Sequence, residues 1–326
     1  MKKTQVIAAM IPFAAALALA SPGEARSQQY PTKPLRILVP FTAGSQADLF
    51  ARIIAPKMSE NWRQQVVVDN RPSAGGIVAG TIIAGAAPDG YTLMLTSSAY
   101  AVSAAIYTKL PYDPLKDIDG VAKFVSGPLV LVVAPALGIK SVKELIALAK
   151  QKPGQINFGS AGIGSGTHMG GEQFKFAAGI NVVHVPYRGT PEALLDTVTG
   201  RIQYWFSPLG PALPFVTDKR LLALAVSTAQ RSPLFPDVPT VAEVALPGFD
   251  YDTWYGVFAP AKTPHPVINQ LNKEIVRVVS LADVKERLVL QGAVIKPTTP
   301  EEFAKLLRAD IATLKKVAKA ANVRID

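Results

Sequence analysis

The chain has 326 residues and a formal charge of +10, from 34 Lys and Arg against 24 Asp and Glu. Its basic residues are scattered, with no run of five or six and no aromatic-rich basic stripe, so a nucleic-acid partner is not expected and a general attraction for anions fits better. With 49% hydrophobic and 18% charged residues the chain is globular, and the absence of cysteine excludes a disulfide framework, a thiolate nucleophile and any Cys-based zinc or iron–sulfur centre.

At the N-terminus Lys2 and Lys3 precede an apolar run from Val6 to Ala20, and small residues follow at Ala18-Leu19-Ala20 and Gly23-Glu24-Ala25. This is the pattern of a cleavable signal peptide over residues 1–25, and the run is shorter than the ~20 apolar residues a membrane-spanning helix needs. Secretion to the periplasm is expected, with no lipid anchor because no cysteine follows. Loss of Lys2 and Lys3 lowers the charge to +8, or to +9 when Glu24 is lost as well, so the mature chain stays basic. About 300 residues remain, enough for two domains with a core each.

From there, β-branched runs alternate with helical patterns. Strands are expected at Leu35 to Val39, Val66 to Val68, Thr92 to Leu95, Leu129 to Val133, Val182 to Val185, Ile202 to Phe206, Leu222 to Val226 and Tyr255 to Ala259. Most are nearly continuous in apolar character, as in a parallel sheet covered on both faces, and the alternation predicts an α/β fold. After Asp48, Phe50, Ile54 and Met58 recur at helical spacing, but Pro56 falls among them and predicts a short first helix. Ser141 with Glu144 and Thr299 with Glu302 are capping boxes, and Pro300 stands at a first helical position. The helix after Ser141 carries Leu145, Leu148 and Ala149 and stops at Lys152-Pro153-Gly154, while Thr190-Pro191 and Thr263-Pro264 repeat a cap-then-proline signature. No repeat or polar linker divides the chain, so two domains would exchange it on extended segments, expected at Ser126 to Ala134 and Phe249 to Pro260. The expected division is 26–128 plus 250–326 for one domain and 129–249 for the other.

Two glycine-rich turns stand at strand-to-helix junctions, Val39 to Asp48 and Phe158 to His168. In an open α/β sheet such turns lie at the carboxyl ends of strands, where helix N-termini offer unpaired N–H groups and about half a positive charge to a carboxylate. The second turn has Thr167 where a dinucleotide fingerprint needs its third glycine, no Gly-Lys-Ser/Thr closes a P-loop, and G-x-S-x-G fails around both Ser160 and Ser165. His168 and Glu172 have the spacing of two metal ligands, but no third ligand is apparent, so neither metal nor cofactor is expected. His184, in mid-strand, reads as structural.

Several short segments together resemble the Bug-type substrate-binding proteins of tripartite tricarboxylate transporters. They are Tyr30 to Arg36, the turn ending at Asp48, Val66 to Pro72, Ala87 to Thr92, Leu110 to Pro114, Gly159 to Gly162, His184 to Gly189, Arg231 to Pro233 and Asp237 to Thr240. The resemblance runs from about Tyr30 to Asp326, and its specificity lies in the order and spacing of the segments. It implies a two-domain, type II periplasmic binding fold with a hinge and an interdomain cleft, which captures a small carboxylate, a dicarboxylate or an aromatic acid, for membrane permease subunits. It also implies a monomer with no enzymatic activity.

Carried over position by position, the resemblance assigns ligand contacts to Ala43, Gly44, Ser45 and Asp48 on one side, and to Ser160, Ala161, Gly164, Ser165 and Thr167 on the other. Phe41, Ser97, His168, Tyr187, Arg188, Ser207 and Pro208 complete the expected set. Asp48 falls in a first helical turn, where an acid complements the dipole, so contact with an anion is its lesser role. Tyr100, Phe206 and Trp254 read as core with a route to the cleft. The chain departs from the family pattern at Ser45, where a second glycine is common, at Ser103-Ala104 in place of Asn-Pro, and at Ser207-Pro208 in place of an acid. The last departure predicts a ligand without an amine. Competing readings are a sensory protein docking on a receptor and a hydrolase using Ser165 with His168, for which no third orienting group is identified.

Overall fold

In the computed structural model, which describes residues 30–320, the first β-branched run forms β1 (Leu35–Val39). The chain continues through α1 (Gln46–Trp62), β2 (Val66–Asn70), α2 (Ile77–Ala84), β3 (Thr92–Ser97) and α3 (Ala99–Ile106) into a long strand, β4 (Ile118–Val133). A second run of alternating elements follows: α4 (Val142–Gln151), β5 (Asn157–Ser160), α5 (Gly166–Ala178), β6 (Val183–Pro186), α6 (Thr190–Val198), β7 (Tyr204–Pro208), α7 (Leu209–Thr217), β8 (Leu222–Val226) and α8 (Val241–Val244). The chain then returns as β9 (Asp252–Pro260), α9 (His265–Ser280), α10 (Ala282–Leu290), β10 (Val294–Ile295) and α11 (Pro300–Ala320). The expected signal peptide lies outside the described residues, among which no helix is long and apolar enough to cross a membrane.

The strands pair in the order β2-β1-β3-β9-β4-β7-β5-β6, with β8 and β10 also on β4. Both flanks are parallel, β2-β1-β3 on one side and β7-β5-β6 on the other, whereas β9 runs antiparallel to β3 and β4. β4 is common to both halves: Ile118 to Pro128 pairs with β9, and Leu129 to Val133 pairs with β7 and β8. On the way back the Tyr251 N–H still donates to Ser227 O, while Asp252 already stands opposite Pro128.

Period-two alternation sends neighbouring side chains into different cores. Leu35, Ile37 and Val39 of β1 join Val257 and Ala259 of β9 under α1 and α9, while Leu38 faces Phe258, Phe303 and Leu307 on the opposite side. In the second half Leu129, Leu131 and Val133 pack with Phe158, Phe174 and Phe206, and Val130 and Val132 with Trp205 and Leu209. Each half is thus a sheet with a core on both faces, the α/β arrangement that the apolar runs predict.

Several local expectations are corrected. α1 is not short: it runs 17 residues straight through Pro56. Pro56 and Arg52 both lie on the exposed face of the helix, while Phe50, Ile54 and Met58 hold it to the core. Strand β4 begins eleven residues before the expected Leu129, because Asp119, Gly120, Lys123 and Gly127-Pro128 interrupt the apolar run and two register shifts absorb the irregularity. β5 was hidden in a glycine-rich turn; a Cβ on Gly159 would lie 2.3 Å from Ile202 Cδ1, so the glycine serves close packing there. The Thr299–Glu302 box forms at 3.2 and 2.9 Å, and a further box joins Thr240 to Glu243. Glu144 donates its N–H to Ser141 Oγ, but its carboxylate accepts from Lys140 N rather than from Ser141 N. Thr190 and Thr263 are not caps: the N-caps are Gly189 and Pro264, and Thr263 Oγ1 donates back to Pro260 O.

Candidate functional site

A cavity lies between the two halves. The first half contributes Phe41, Ser45, Gln46, Ala47, Ser97, Thr253 and Tyr255; the second contributes Ala161, Ser165, Gly166, Thr167, Thr190 and Pro208. None of these carries a charge. Gln46, Gly166 and Thr190 are the first residues of α1, α5 and α6, and Pro208 precedes α7, so four helices begin at the cavity wall. First-turn N–H groups have no intrahelical acceptor, and each helix start contributes about half a positive charge, which makes the wall a field of neutral donors suited to an anion.

The first turn is shaped from behind by Asp48. Its carboxylate accepts from Gly44 N at 2.8 Å, from Arg52 Nε at 2.9 and 3.0 Å and from Asn70 Nδ2 at 3.0 Å, and Asn70 in turn donates to Phe41 O. Burial alone would raise the Asp48 pKa, but the hydrogen bonds from Arg52, Gly44 and Asn70 and the charge of Arg52 outweigh it and hold the carboxyl below its usual range. Gly44 sits at φ 79°, a backbone position that favours glycine.

The second turn is held by its own side chains. Ala161 N donates to Thr167 Oγ1 at 2.8 Å, Ser165 Oγ caps α5 by accepting from His168 N at 3.1 Å, and Gly164 N donates to His168 Nδ1 at 3.1 Å. Ser160 Oγ lies 2.6 Å from His184 Nε2 and accepts from Gly162 N at 3.1 Å. His168 and His184 stack at 3.9 Å between ring centroids. Burial first, then the neighbouring His168 and Lys175, pushes His184 down to about 3; burial likewise lowers His168 despite Glu172. Both rings are therefore neutral at physiological pH. Ser160→Ala would strand His184 Nε2 and Gly162 N, with an expected loss of about 1–3 kcal/mol in urea unfolding; unchanged stability would refute the buttressing role.

The geometry sorts the expected residues. Phe41, Ser45, Ser97, Ala161, Ser165, Thr167 and Pro208 line the cavity. Ala43 and Gly44 lie in the first turn beside it, and Asp48, Ser160, Gly164 and His168 support the two turns from outside it. Tyr187 donates to Asp196 Oδ2 at 2.8 Å, Arg188 is exposed, and Ser207 is fully buried with its hydroxyl on Pro208 O. Tyr100, Phe206 and Trp254 are core residues. The sequence reading missed Gln46, Ala47, Gly166 and Thr190 as lining residues, although Gln46 and Gly166 directly follow expected contacts and Thr190 was expected only as a helix cap. It also missed Thr253 and Tyr255, which reach the cavity only because β9 is inserted between β3 and β4.

No serine–histidine dyad forms at Ser165. That hydroxyl accepts from the His168 backbone, while the ring presents Nδ1 to Gly164 N and Nε2 to Glu172 at 3.8 Å. Among the described residues no group of three or more His, Cys, Asp or Glu is placed to hold a metal.

Across the cleft the halves touch directly. Thr190 N donates to Ser45 Oγ at 3.3 Å, and Thr42 Oγ1 donates to Glu192 Oε2 at 3.3 Å. A Cβ on Gly189 would lie 1.9 Å from Thr42 Oγ1 and 2.7 Å from Ser45 Oγ, so the two turns close against a bare backbone.

Residues 50–323 match the family described as tripartite tricarboxylate transporter family receptor. The chain is 34% identical over 304 residues to protein BugT of Bordetella pertussis, covering 93% of each chain. Among solved structures it is similar to an R. palustris protein with adipate, at 32% identity and a TM-score of 0.87, covering 90% of this chain and 99% of that one. It is also similar to MatC from Rhodopseudomonas palustris with bound malate, at 30% identity and a TM-score of 0.83, covering 88% and 99%.

Proposed function

Because this chain belongs to the tripartite tricarboxylate transporter receptor family, a family of solute-binding proteins rather than enzymes, we propose that it captures a small carboxylate between its two halves. The ligand is a dicarboxylate or an aromatic acid, taken up in the periplasm after removal of residues 1–25 and delivered by the monomer to membrane permease subunits. Domains of residues 26–128 plus 250–326 and of residues 129–249 would close about the paired crossings near Pro128 and Asp252.

The observation that carries this reading is the cavity wall: four helix N-termini and a set of hydroxyls converge on it, with no charged side chain among the lining residues. Such a wall holds one carboxylate by oriented N–H groups and leaves a cation without a counter-charge. The relatives solved with adipate and malate support a carboxylate ligand. Ser207, its hydroxyl spent on Pro208 O, leaves no carboxylate for a ligand amine at that point, in keeping with a ligand that lacks one.

A thermal-shift screen of the mature protein against mono-, di- and tricarboxylates, aromatic acids, amino acids and sugars tests this. A ligand present at 100 times its Kd stabilises the fold by about 2.7 kcal/mol. The expected result is a shift confined to carboxylates; a shift with sugars or amines alone would overturn the reading.

A further inference from the structure

Gln46 is 4% exposed and lines the main cavity together with a second one that continues it toward Gly127, Pro128 and Leu129. Its Nε2 donates to the Gln291 backbone carbonyl at 3.3 Å. A carbonyl only accepts, so this contact fixes which end of the amide faces it and leaves Oε1 turned elsewhere. That oxygen is buried without a hydrogen-bond partner in the protein, and so is Oε1 of Gln291, which lines the second cavity. Gln291 reaches this place because the facing residue of α7 is a glycine: a Cβ on Gly210 would lie 2.1 Å from Gln291 Oε1. Both glutamines therefore line the second cavity where the halves meet, at the far end from the second glycine-rich turn, each with an unpartnered amide oxygen.

A buried acceptor left unpaired costs about 1–3 kcal/mol, so two of them at one end of a ligand cavity call for a donor that arrives with the ligand. No charged side chain lines either cavity. A second carboxylate here would set its oxygens against two amide oxygens, and an ammonium would be buried with no counter-ion. A hydroxyl is neutral and donates. The walls between, with Phe50, Leu129, Leu209 and Tyr255, suit an apolar ring or chain.

We propose that Gln46 and Gln291 form a specificity element for a hydroxyl at the far end of the ligand, so that the preferred substrate is a hydroxylated monocarboxylate, aromatic in the first instance, rather than a dicarboxylate. This rests on the carboxylate-capture function proposed above and narrows its ligand class. Calorimetric titration of the mature protein with benzoate, 4-hydroxybenzoate and terephthalate, and with hexanoate, 6-hydroxyhexanoate and adipate, tests it. In at least one series the hydroxy acid is expected to bind at least about tenfold tighter than both analogues. Gln46→Leu and Gln291→Met are each expected to cut that preference to below about threefold. Comparison of ligands on the unaltered protein gives a result even where a variant fails to fold. Carboxylate binding with no hydroxyl preference, a preference that survives in both variants, or a dicarboxylate that binds best overturns the inference and leaves carboxylate capture standing. No binding of any acid overturns both.

Discussion

Gly189→Leu is expected to abolish ligand capture while leaving the protein folded. Gly189 is buried, and the atoms nearest an added Cβ belong to the opposite half, Thr42 Oγ1, Ser45 Oγ and Thr42 Cβ at 1.9, 2.7 and 3.1 Å. Its φ of −175° is extended backbone open to any residue, so the substitution strains nothing within its own half. A threonine rotamer can yield to a methyl group, and Gly189→Ala should be the milder variant. A leucine requires the two turns to part. The Thr190 N–H then leaves Ser45 Oγ, the cavity opens on one side, and the helix N-termini no longer converge. Affinity should fall at least about 100-fold, equivalent to about 2.8 kcal/mol, while thermal unfolding without ligand stays near that of the parent. Small-angle scattering should show a larger radius of gyration that added carboxylate does not reduce. Parental affinity with a compact envelope would mean that closure over Gly189 plays no part in binding.

Asp48→Asn should cost about 2–3 kcal/mol of folding stability despite the unchanged side-chain shape. Both carboxylate oxygens accept: Oδ1 from Arg52 and Asn70, Oδ2 from Arg52 and Gly44 N. Whichever way an asparagine is turned, its NH2 faces one of these donors. The Asp48 side chain is 2% exposed but Arg52 is 52% exposed, so the charged contact is partly screened and the expected cost falls below the about 3–5 kcal/mol of a broken, fully buried ion pair. The pH dependence carries a sign. Because the folded-state pKa is depressed, the stabilisation is fully present above the carboxyl's unfolded value near 3.8 and is lost as pH falls from there through the folded value. Urea unfolding between about pH 5 and pH 2 should show the parent losing this component and Asp48→Asn lacking it. Parallel curves for the two proteins would show that Asp48 titrates alike in the folded and unfolded states.

Much of this protein is legible one short window at a time. The β-branched runs, the stop at Lys152-Pro153-Gly154, the Thr299–Glu302 box and the two glycine-rich turns are all encoded within a few residues, because strand period, capping and turn geometry are local properties of the backbone. That was enough for the α/β class and, with the family resemblance, for the five cavity-lining residues that sit on the two turns, whereas Ser97 and Pro208 line the cavity from the ends of β3 and β7. Local rules also misled where packing overruled them: α1 passes through Pro56 because its apolar face is buried and Pro56 lies on the exposed one, and β4 passes through Gly127-Pro128 because strands of both halves pair along it. Other features of the site belong to the tertiary structure alone. Thr253 and Tyr255 enter the cavity through the insertion of β9 between β3 and β4, and Gln291 meets Gln46 across 245 residues of chain. Sequence determined which segments carry free donors, through glycine, serine and the helix start; only the folded sheet, by pairing strands distant in the chain, decided which donors and acceptors share one cavity.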